Sequence, residues 1–491
     1  DIALGQIGKL PSSKINILEP AVGDGSFVRC IIDSEALESG KITIVDIESE
    51  ALKSSNFILN NSSEINDWEV ESIHDDYLSW VEKTGGRSYD LILGNPPWGK
   101  KRKRMDGFSE QSLDFIPPSV EMLSENGCLC FILPGIWLTG NEHELFRSEM
   151  IDMGREITIT RLKGKWFLDS AYTTEPVVLT IGPKSTNPLL RISELSTEEL
   201  EISDIYDIEL SKIKLHNGLK IPHVGGGFLR FMSQEEFPAG ILTCRSRGIH
   251  RYSGLKTGNN SRYIYTEEQV ISLVERDLAI ISNDISEIEK EGGIDSKDIF
   301  AFIPYDKGGK TILNGVSTMF ATPIKTYVRW DKSAVSWYSE YGGLRNSDLY
   351  WKNIGVNFSA SGKYCPIFRI SSAPVFDADY PLIPCKDKEE SLKLISILSS
   401  PTSLFLAKNM INPSAHFKNQ DLDMLPIPSL EIVPKDCVST IDSLISAKQV
   451  TQDDFSDCMY KLHNLTSPLW SLSDEESNVV WIWFSNRYLK R

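Results

Sequence analysis

The first third of the chain alternates short, continuous apolar runs with amphipathic stretches. Apolar runs at 15–18, 42–45, 90–93, 129–133 and 177–181 have the length and content of buried strands, and the stretches between them have helical spacing. Such alternation predicts an α/β fold: a Rossmann-like, mostly parallel twisted sheet covered by helices. One of these helices is predicted over 115–125, with Pro117 and Pro118 in its first turn, where proline is tolerated, and Gly127 beyond its end. Past Pro183 the pattern changes. Ser196 and Glu199 match a capping box for a short acidic helix, and the run Gly225-Gly226-Gly227 follows between Val224 and Phe228. From about 241 to 429 the chain is rich in Gly, Asn, Ser and aromatics, with one acidic helical pattern near 267–291, which predicts a mixed α+β domain. Helical periodicity returns from 433. The predicted division is an α/β domain over 1–220, a mixed α+β domain over 221–430 and a helical tail over 431–491, with no internal repeat. Asp1 stands inside a helical pattern (Ile2-Ala3-Leu4), so a segment is expected in front of it.

The 491 residues exceed one ordinary core. A formal net charge of −17 opposes a polyanionic partner until its distribution is read. Residues 241–266 carry Arg245, Arg247, Arg251, Lys256 and Arg262 without an acid, and 349–376 carry Lys352, Lys363 and Arg369 without one. Acids gather elsewhere, as in 193–209. Basic faces on an acidic body keep DNA open as a partner. Eight cysteines without a Cys-x-x-Cys pair, Cys128 and Cys130 within an apolar run among them, predict reduced thiols and a cytoplasmic protein. The seven histidines do not cluster at ligand spacing, so no metal site is predicted. No apolar run has membrane-spanning length, so no membrane partner is expected.

Ile17-Leu18-Glu19-Pro20-Ala21-Val22-Gly23-Asp24-Gly25-Ser26-Phe27 sets a Gly-x-Gly turn between a strand and a helix, where bare backbone comes close to a ligand over the strand ends. A tight turn without ligand explains the glycines equally well. Asp46 ends the next strand, where a carboxylate meets ribose hydroxyls. Nicotinamide enzymes share that arrangement, but the third glycine of their fingerprint is replaced by Phe27-Val28. Glu19 suits the cation of a sulfonium cofactor better than a pyrophosphate. Asp76, beside Tyr77 after a third strand, is a candidate acceptor for an adenine amine or else a solvated turn residue.

Asp90-Leu91-Ile92-Leu93-Gly94-Asn95-Pro96-Pro97-Trp98-Gly99 carries the most chemistry. Two prolines cannot continue a strand, so the chain leaves the sheet at Asn95 in a stiff conformation. The Asn95 amide oxygen and the Pro96 carbonyl are then available to one point, with the flat face of Trp98 beside it. An exocyclic amine is a poor nucleophile because its lone pair is delocalised into the ring. Two acceptors on its hydrogens favour a pyramidal nitrogen with a free lone pair. Orientation then supplies much of the acceleration, and no histidine base is needed.

These motifs resemble the gamma-class amino-methyltransferases, TaqI-like, in which a cofactor motif precedes Asn-Pro-Pro-aromatic and a target-recognition domain follows. The resemblance covers 15–183. It implies an S-adenosylmethionine site drawing on Glu19, Pro20, Ala21, Gly23, Gly25, Asp46, Ile47, Asp76, Tyr77, Asn95 and Phe115. It implies catalysis by Asn95, Pro96, Pro97 and Trp98, with Phe167, or Tyr172 in reserve, against the far face of an extruded base. Residues 131–138 match the family's strand after the helix. The family's upstream segment, which helps close the methionine pocket, has no counterpart after Asp1.

A base buried in a duplex must be extruded to react. Lys100, Lys101, Arg102, Lys103 and Arg104 follow the catalytic motif directly and are candidate phosphate contacts, although such runs are commonly solvated surface. Segments 254–262, 304–310 and 412–417 resemble parts of target-recognition domains in type IIG enzymes and BREX-like methyltransferases, and 460–465 resembles the helix and turn near their end. Within them Lys256, Thr257, Asn259, Arg262 and Lys307 are candidate DNA contacts. The resemblance implies a site-specific adenine N6-methyltransferase of restriction-modification or phage defence, acting on double-stranded DNA, with a nuclease domain or other defence subunits as further partners. A protein glutamine methyltransferase presents similar nitrogen chemistry but leaves the second half unexplained. A specificity module without catalysis, and a cytosine amine as acceptor, are the other readings.

Overall fold

The computed structural model describes residues 14–489 apart from 34–38, 61–67, 100–107, 165, 167–174, 199–200, 215–216, 284, 308–312, 315–316, 322–323, 352–353, 363, 371–372, 415 and 448. The chain divides into two compact units, Asp1–Ser233 and Gln234–Arg491.

Unit 1 is built on one nine-stranded sheet. In chain order its elements are β1 (Ile15–Glu19), α1 (Ser26–Ile32), β2 (Gly40–Asp46), α2 (Ser49–Asn60), β3 (Trp68–His74), α3 (Tyr77–Lys83), β4 (Tyr89–Gly94), α4 (Ile116–Glu121), β5 (Leu123–Pro134), α5 (Glu144–Asp152), β6 (Arg155–Lys163), β7 (Pro176–Lys184), β8 (Leu189–Ser196) and β9 (Ile202–Glu209). The strand order is β3-β2-β1-β4-β5-β7-β6-β8-β9. Neighbours from β3 through β5 are parallel, and β7 runs antiparallel between β5 and β6. The central strands are covered on both faces, which explains their continuous apolar sequence: Ile17, Ile42, Ile44, Leu91 and Leu93 pack with Val28 and Ile31 of α1 and Leu52 and Leu59 of α2.

Three local predictions give way to pairing. The helix predicted over 115–125 ends at Glu121, because the Met122 carbonyl accepts the Tyr89 N–H at 2.8 Å and the chain enters β5. Gly127 therefore lies within a strand, where a Cβ would stand 2.8 Å from the Tyr89 carbonyl oxygen. Ser196 closes β8 and its hydroxyl accepts the Glu198 N–H at 3.0 Å, so it turns the chain toward β9 instead of capping a helix; Glu199 lies outside the described residues.

After the short strand Leu242–Thr243, which pairs with Pro426–Ile427, unit 2 continues through β10 (Leu255–Lys256), α6 (Asn260–Tyr263), β11 (Ile264–Thr266), α7 (Glu267–Val274), β12 (Ala279–Ile281), α8 (Glu287–Gly292), β13 (Phe300–Asp306), β14 (Thr326–Arg329), α9 (Lys332–Glu340) and β15 (Gly343–Leu344). The single acidic helix expected near 267–291 is thus two, α7 and α8, separated by β12: Asp277 takes a positive φ of 57° and turns the chain into a strand that pairs with β13. A five-stranded sheet runs β11-β14-β13-β12, with Val375–Phe376 added on β13. Trp330, Tyr338, Tyr350 and Phe376 fill its core. A three-stranded sheet follows, and the tail is helical over Lys435–Ser446, Gln452–Thr466 and Asp474–Phe484. Among the described residues no single helix is long and apolar enough to cross a membrane; the bent pair Lys388–Leu398 and Pro401–Ile411 passes by composition, and its residues are mostly buried in unit 2.

Candidate functional site

Where β1 ends at Glu19, the chain must turn sharply to start α1. The Val22 N–H donates to the Val45 carbonyl at 3.1 Å, which holds the turn against β2. The two glycines do different work. Gly25, at φ 79°, is the residue before α1, and a Cβ there would stand 2.9 Å from Ser55 Oγ and 3.2 Å from Ser55 Cα, so α2 can pack closely only on a glycine. Gly23, at φ 53°, has no neighbour within 4 Å of its missing Cβ and faces open space. Asp46 shapes this space: one carboxylate oxygen accepts the Gly23 N–H and the other the Glu48 N–H, both at 2.9 Å. Ile47 beside it is an apolar side chain left 62 % exposed.

A cavity of about 580 Å³ opens at the carboxyl ends of β1 to β4. It sits where the strand order reverses between β1 and β4, the place at which open α/β sheets bind ligands. Of the predicted cofactor residues, Pro20, Ala21, Gly23, Asp46, Ile47, Asp76, Tyr77, Asn95 and Phe115 line it. Leu78, Pro97, Gln111 and Asp114 complete the lining. Gln111 and Asp114 were not anticipated. With Phe115 they belong to the 3-10 turn Gln111–Phe115, in which Gln111 and Asp114, three residues apart, share a side; reading the helix as starting at Phe115 hides that turn.

One wall is aromatic. Tyr77 and Phe115 stack with ring centroids 5.0 Å apart and planes 15° apart. The Tyr77 hydroxyl is 2.7 Å from Ser119 Oγ, which in turn donates to the Phe115 carbonyl at 2.6 Å, and burial holds the phenol well above its ordinary pKa. Asp76 is the N-cap of α3, accepting the Ser79 N–H at 2.9 Å, so its carboxylate is fixed at the cavity edge by a structural bond.

Gly25 and Glu19 do not line the cavity. Glu19 is fully buried beneath it, with its Cγ 3.8 Å from the ideal Cβ position of Gly94. Neither carboxylate oxygen has a hydrogen-bond partner of normal geometry. Burial is the largest influence on this group, reinforced by the nearby Asp24 and Asp46, and it holds the carboxyl well above the usual carboxylate range; the Val28 N–H opposes the shift.

After β4 the chain leaves the sheet at Asn95-Pro96-Pro97. Pro96 is buried and holds the bend, while Asn95 and Pro97 are exposed toward the cavity. No protein group among the described residues bonds the Asn95 side chain. Trp98 is half-buried, its indole N–H donating to the Ile132 carbonyl of β5 at 3.4 Å. Gly99 is pinned twice: its N–H donates to Glu110 at 2.7 Å and its carbonyl accepts the Gln111 N–H at 2.9 Å. Phe167, Tyr172 and the run Lys100, Lys101, Arg102, Lys103 and Arg104 lie outside the described residues.

In unit 2, Lys256, Asn259, Arg262 and Lys307 are exposed and Thr257 is buried, its hydroxyl donating to Asn260 Oδ1 at 2.5 Å. Asn259 caps α6 by accepting the Arg262 N–H. The acid-free stretches are less available than their sequence implies. Arg247 donates to the Ile427 and Gly240 carbonyls, Arg251 pairs with Asp423 at 2.9 Å, and Arg369 is buried on Ile367–Ile370.

Residues 28–167 match the family described as Eco57I restriction-modification methylase. Over 161 residues the chain is 30 % identical to the type II methyltransferase M.TthHB8I of Thermus thermophilus, covering 28 % of this chain and 34 % of that protein. Over 193 residues it is 26 % identical to the type II methyltransferase M.AccI of Acinetobacter calcoaceticus, covering 35 % and 33 %. The chain thus spans about a third of the length of the curated relatives it matches. Among solved structures, the type IIL restriction-modification enzyme MmeI in complex with DNA superposes over 96 % of this chain and 72 % of its own with a TM-score of 0.56 at 11 % identity. Unit 1 has the Rossmann-like methyltransferase fold. Its parallel strands β3 to β5 carry the cavity at the β1–β4 reversal, and the matched stretch 28–167 carries the Asn95-Pro96-Pro97-Trp98 bend.

Proposed function

We propose that the chain is a site-specific DNA methyltransferase that moves a methyl group from S-adenosylmethionine to the N6 amine of an extruded adenine, in a restriction-modification or phage-defence system. The observation that carries this reading is the position of the unbonded Asn95 side chain at the rim of the switch-point cavity, within the stretch that resembles restriction-modification methylases. The residues present fit the cofactor. The volume is in the range of small-molecule sites. Gly23 leaves bare backbone on one side, the Ile47 side chain and the Tyr77–Phe115 stack supply apolar surface for an adenine ring, and Asp46 stands where ribose hydroxyls are met. The buried Glu19 places a latent negative charge under the turn, complementary to an α-amino group or sulfonium.

When bound, the sulfonium supplies an electrophilic methyl group. The chain's own contribution is to hold the acceptor. The Asn95 amide oxygen and the Pro96 carbonyl accept the hydrogens of the exocyclic amine, which frees its lone pair for in-line attack. Pro96 and Pro97 fix that geometry at little entropic cost, because their φ angles are preset. The Trp98 face steadies the extruded ring, and the surplus amine proton leaves to solvent once the carbon–nitrogen bond has formed and the carbon–sulfur bond has broken. Unit 2 supplies the sequence-reading surface, which a protein glutamine methyltransferase would not need. Long-read sequencing of genomic DNA from cells expressing the full-length gene tests the reading: methylated adenine at one recurrent sequence is expected, and modified cytosine or unmodified DNA overturns it.

A further inference from the structure

Arg329 and Arg487 of unit 2 also lie over two aromatic rings, but Arg262 combines that placement with an exposed position. Its guanidinium lies 5.3 Å from the Tyr263 ring centroid and 5.4 Å from that of Trp337. Both rings are held. Tyr263 is 2 % exposed and also meets Arg329 at 5.4 Å, while the Trp337 indole N–H donates to the Thr257 carbonyl at 3.1 Å. Arg329 is spent on Asp331, with two bonds of 2.9 and 3.0 Å. The Arg262 guanidinium has no hydrogen bond or ion pair to any protein group among the described residues, and the residue is exposed.

The surroundings keep this cation open. β10 pairs with β15, Leu255 opposite Leu344, which brings 256–262 beside the end of α9. Gly342 makes the approach possible, since a Cβ there would lie 2.3 Å from the Lys256 carbonyl oxygen. Lys256 and Arg345 are exposed at this junction, and Tyr341, 60 % exposed, rests against Trp337 with centroids 4.4 Å apart. Glu340, the acid next to Tyr341, bonds the Tyr341 hydroxyl.

A guanidinium whose face is engaged by aromatic rings offers its edge, a rigid fork of paired N–H donors. Two acceptors side by side at that spacing are what guanine presents in the major groove through O6 and N7. Phosphate accepts the same fork, but the exposed Lys256 and Arg345 at this junction already offer cations to a backbone. We infer that Arg262 reads a guanine of the recognised duplex, with Tyr263 and Trp337 as the residues that position it. The inference rests on the reading of unit 2 as a DNA reader.

Selection of a random duplex library by the purified full chain, followed by sequencing of the bound fraction, tests it without reference to activity. The wild type is expected to enrich a motif containing a fixed guanine. Arg262→Lys keeps the charge but loses the fork, so preference for that guanine falls by about tenfold or more while the other positions keep theirs. Trp337→Leu is expected to weaken the same position and no other, an effect that general loss of structure would not confine to one base. An Arg262→Lys variant with an unchanged motif, or with affinity lowered evenly for all sequences, overturns the inference and leaves the DNA reader standing. A wild type that enriches no motif overturns the reader and the inference together.

Discussion

The cavity of unit 1 and the Arg262 face of unit 2 place their functional groups by opposite means. In unit 1 four of the lining groups stand at the carboxyl ends of strands: Gly23 after β1, Asp46 ending β2, Asp76 after β3 and Asn95 after β4. The parallel sheet aligns those strand ends, so local motifs are enough to build a site. In unit 2, Arg262 is oriented by Trp337, 75 positions along the chain, through the short pairing of β10 with β15. A site made of aligned strand ends tolerates change in the side chains it shows to ligand. One made by side chains leaning on each other does not.

The largest expected effect is at Asn95. Because its side chain is exposed and bonds no protein group among the described residues, Asn95→Ala should lower methyl transfer at least about a hundredfold while thermal unfolding stays within a degree or so of wild type. Equal losses of activity and stability would show that the bend is structural. The two glycines sharpen the same distinction. Gly25→Ala forces a left-handed alanine against Ser55 and should cost about 2 kcal/mol or more in chemical denaturation. Gly23→Ala, facing open space, should cost about 1 kcal/mol and register mainly as weaker cofactor binding in calorimetry. In unit 2, Lys256→Ala should weaken binding to all duplexes alike and reduce the slope of log affinity against log salt by about 0.9, unlike the base-specific loss expected at Arg262.

The smallest effect concerns Glu19. Its carboxyl is held above the range it has in the unfolded chain, so the folded state keeps the proton longer. The unfolded state ionises first as pH rises, and stability contributed by the protonated form is lost between the unfolded value of about 4.5 and the higher folded value. Glu19→Gln removes that penalty. Its melting temperature relative to wild type should therefore rise as the pH is raised above about 4.5; a difference that does not change with pH would mean that Glu19 is ionised in the empty protein.

Much of unit 1 was legible because burial on both faces writes itself as uninterrupted apolar sequence. The strands β1, β2, β4, β5 and β7 fall on the predicted runs, with longer ends. Strands outside the centre were harder. The run Arg155-Glu156-Ile157-Thr158-Ile159-Thr160 of β6 alternates instead of running apolar, and the β8–β9 hairpin carried a chance capping-box pattern at Ser196 that strand pairing overrode. The cavity was legible where its residues share a motif, as from Pro20 to Gly23, and illegible at Gln111 and Asp114, whose relevance depends on a 3-10 turn before α4. Composition misled where charge met burial: Arg369 reads as a surface cation and is sealed on a strand. Nothing in the sequence joins Trp337 to Arg262, since the β10–β15 and β11–β14 registers bring them together.

The most direct test supplies the purified full chain with duplex DNA and S-adenosylmethionine bearing a trideuterated methyl group, then digests the DNA to nucleosides for mass spectrometry. Label is predicted on N6-methyldeoxyadenosine with the wild type and on no nucleoside with Asn95→Ala. Label on deoxycytidine or on the protein, or equal labelling of adenine by the two proteins, would contradict the role assigned to the Asn95 bend and its cavity.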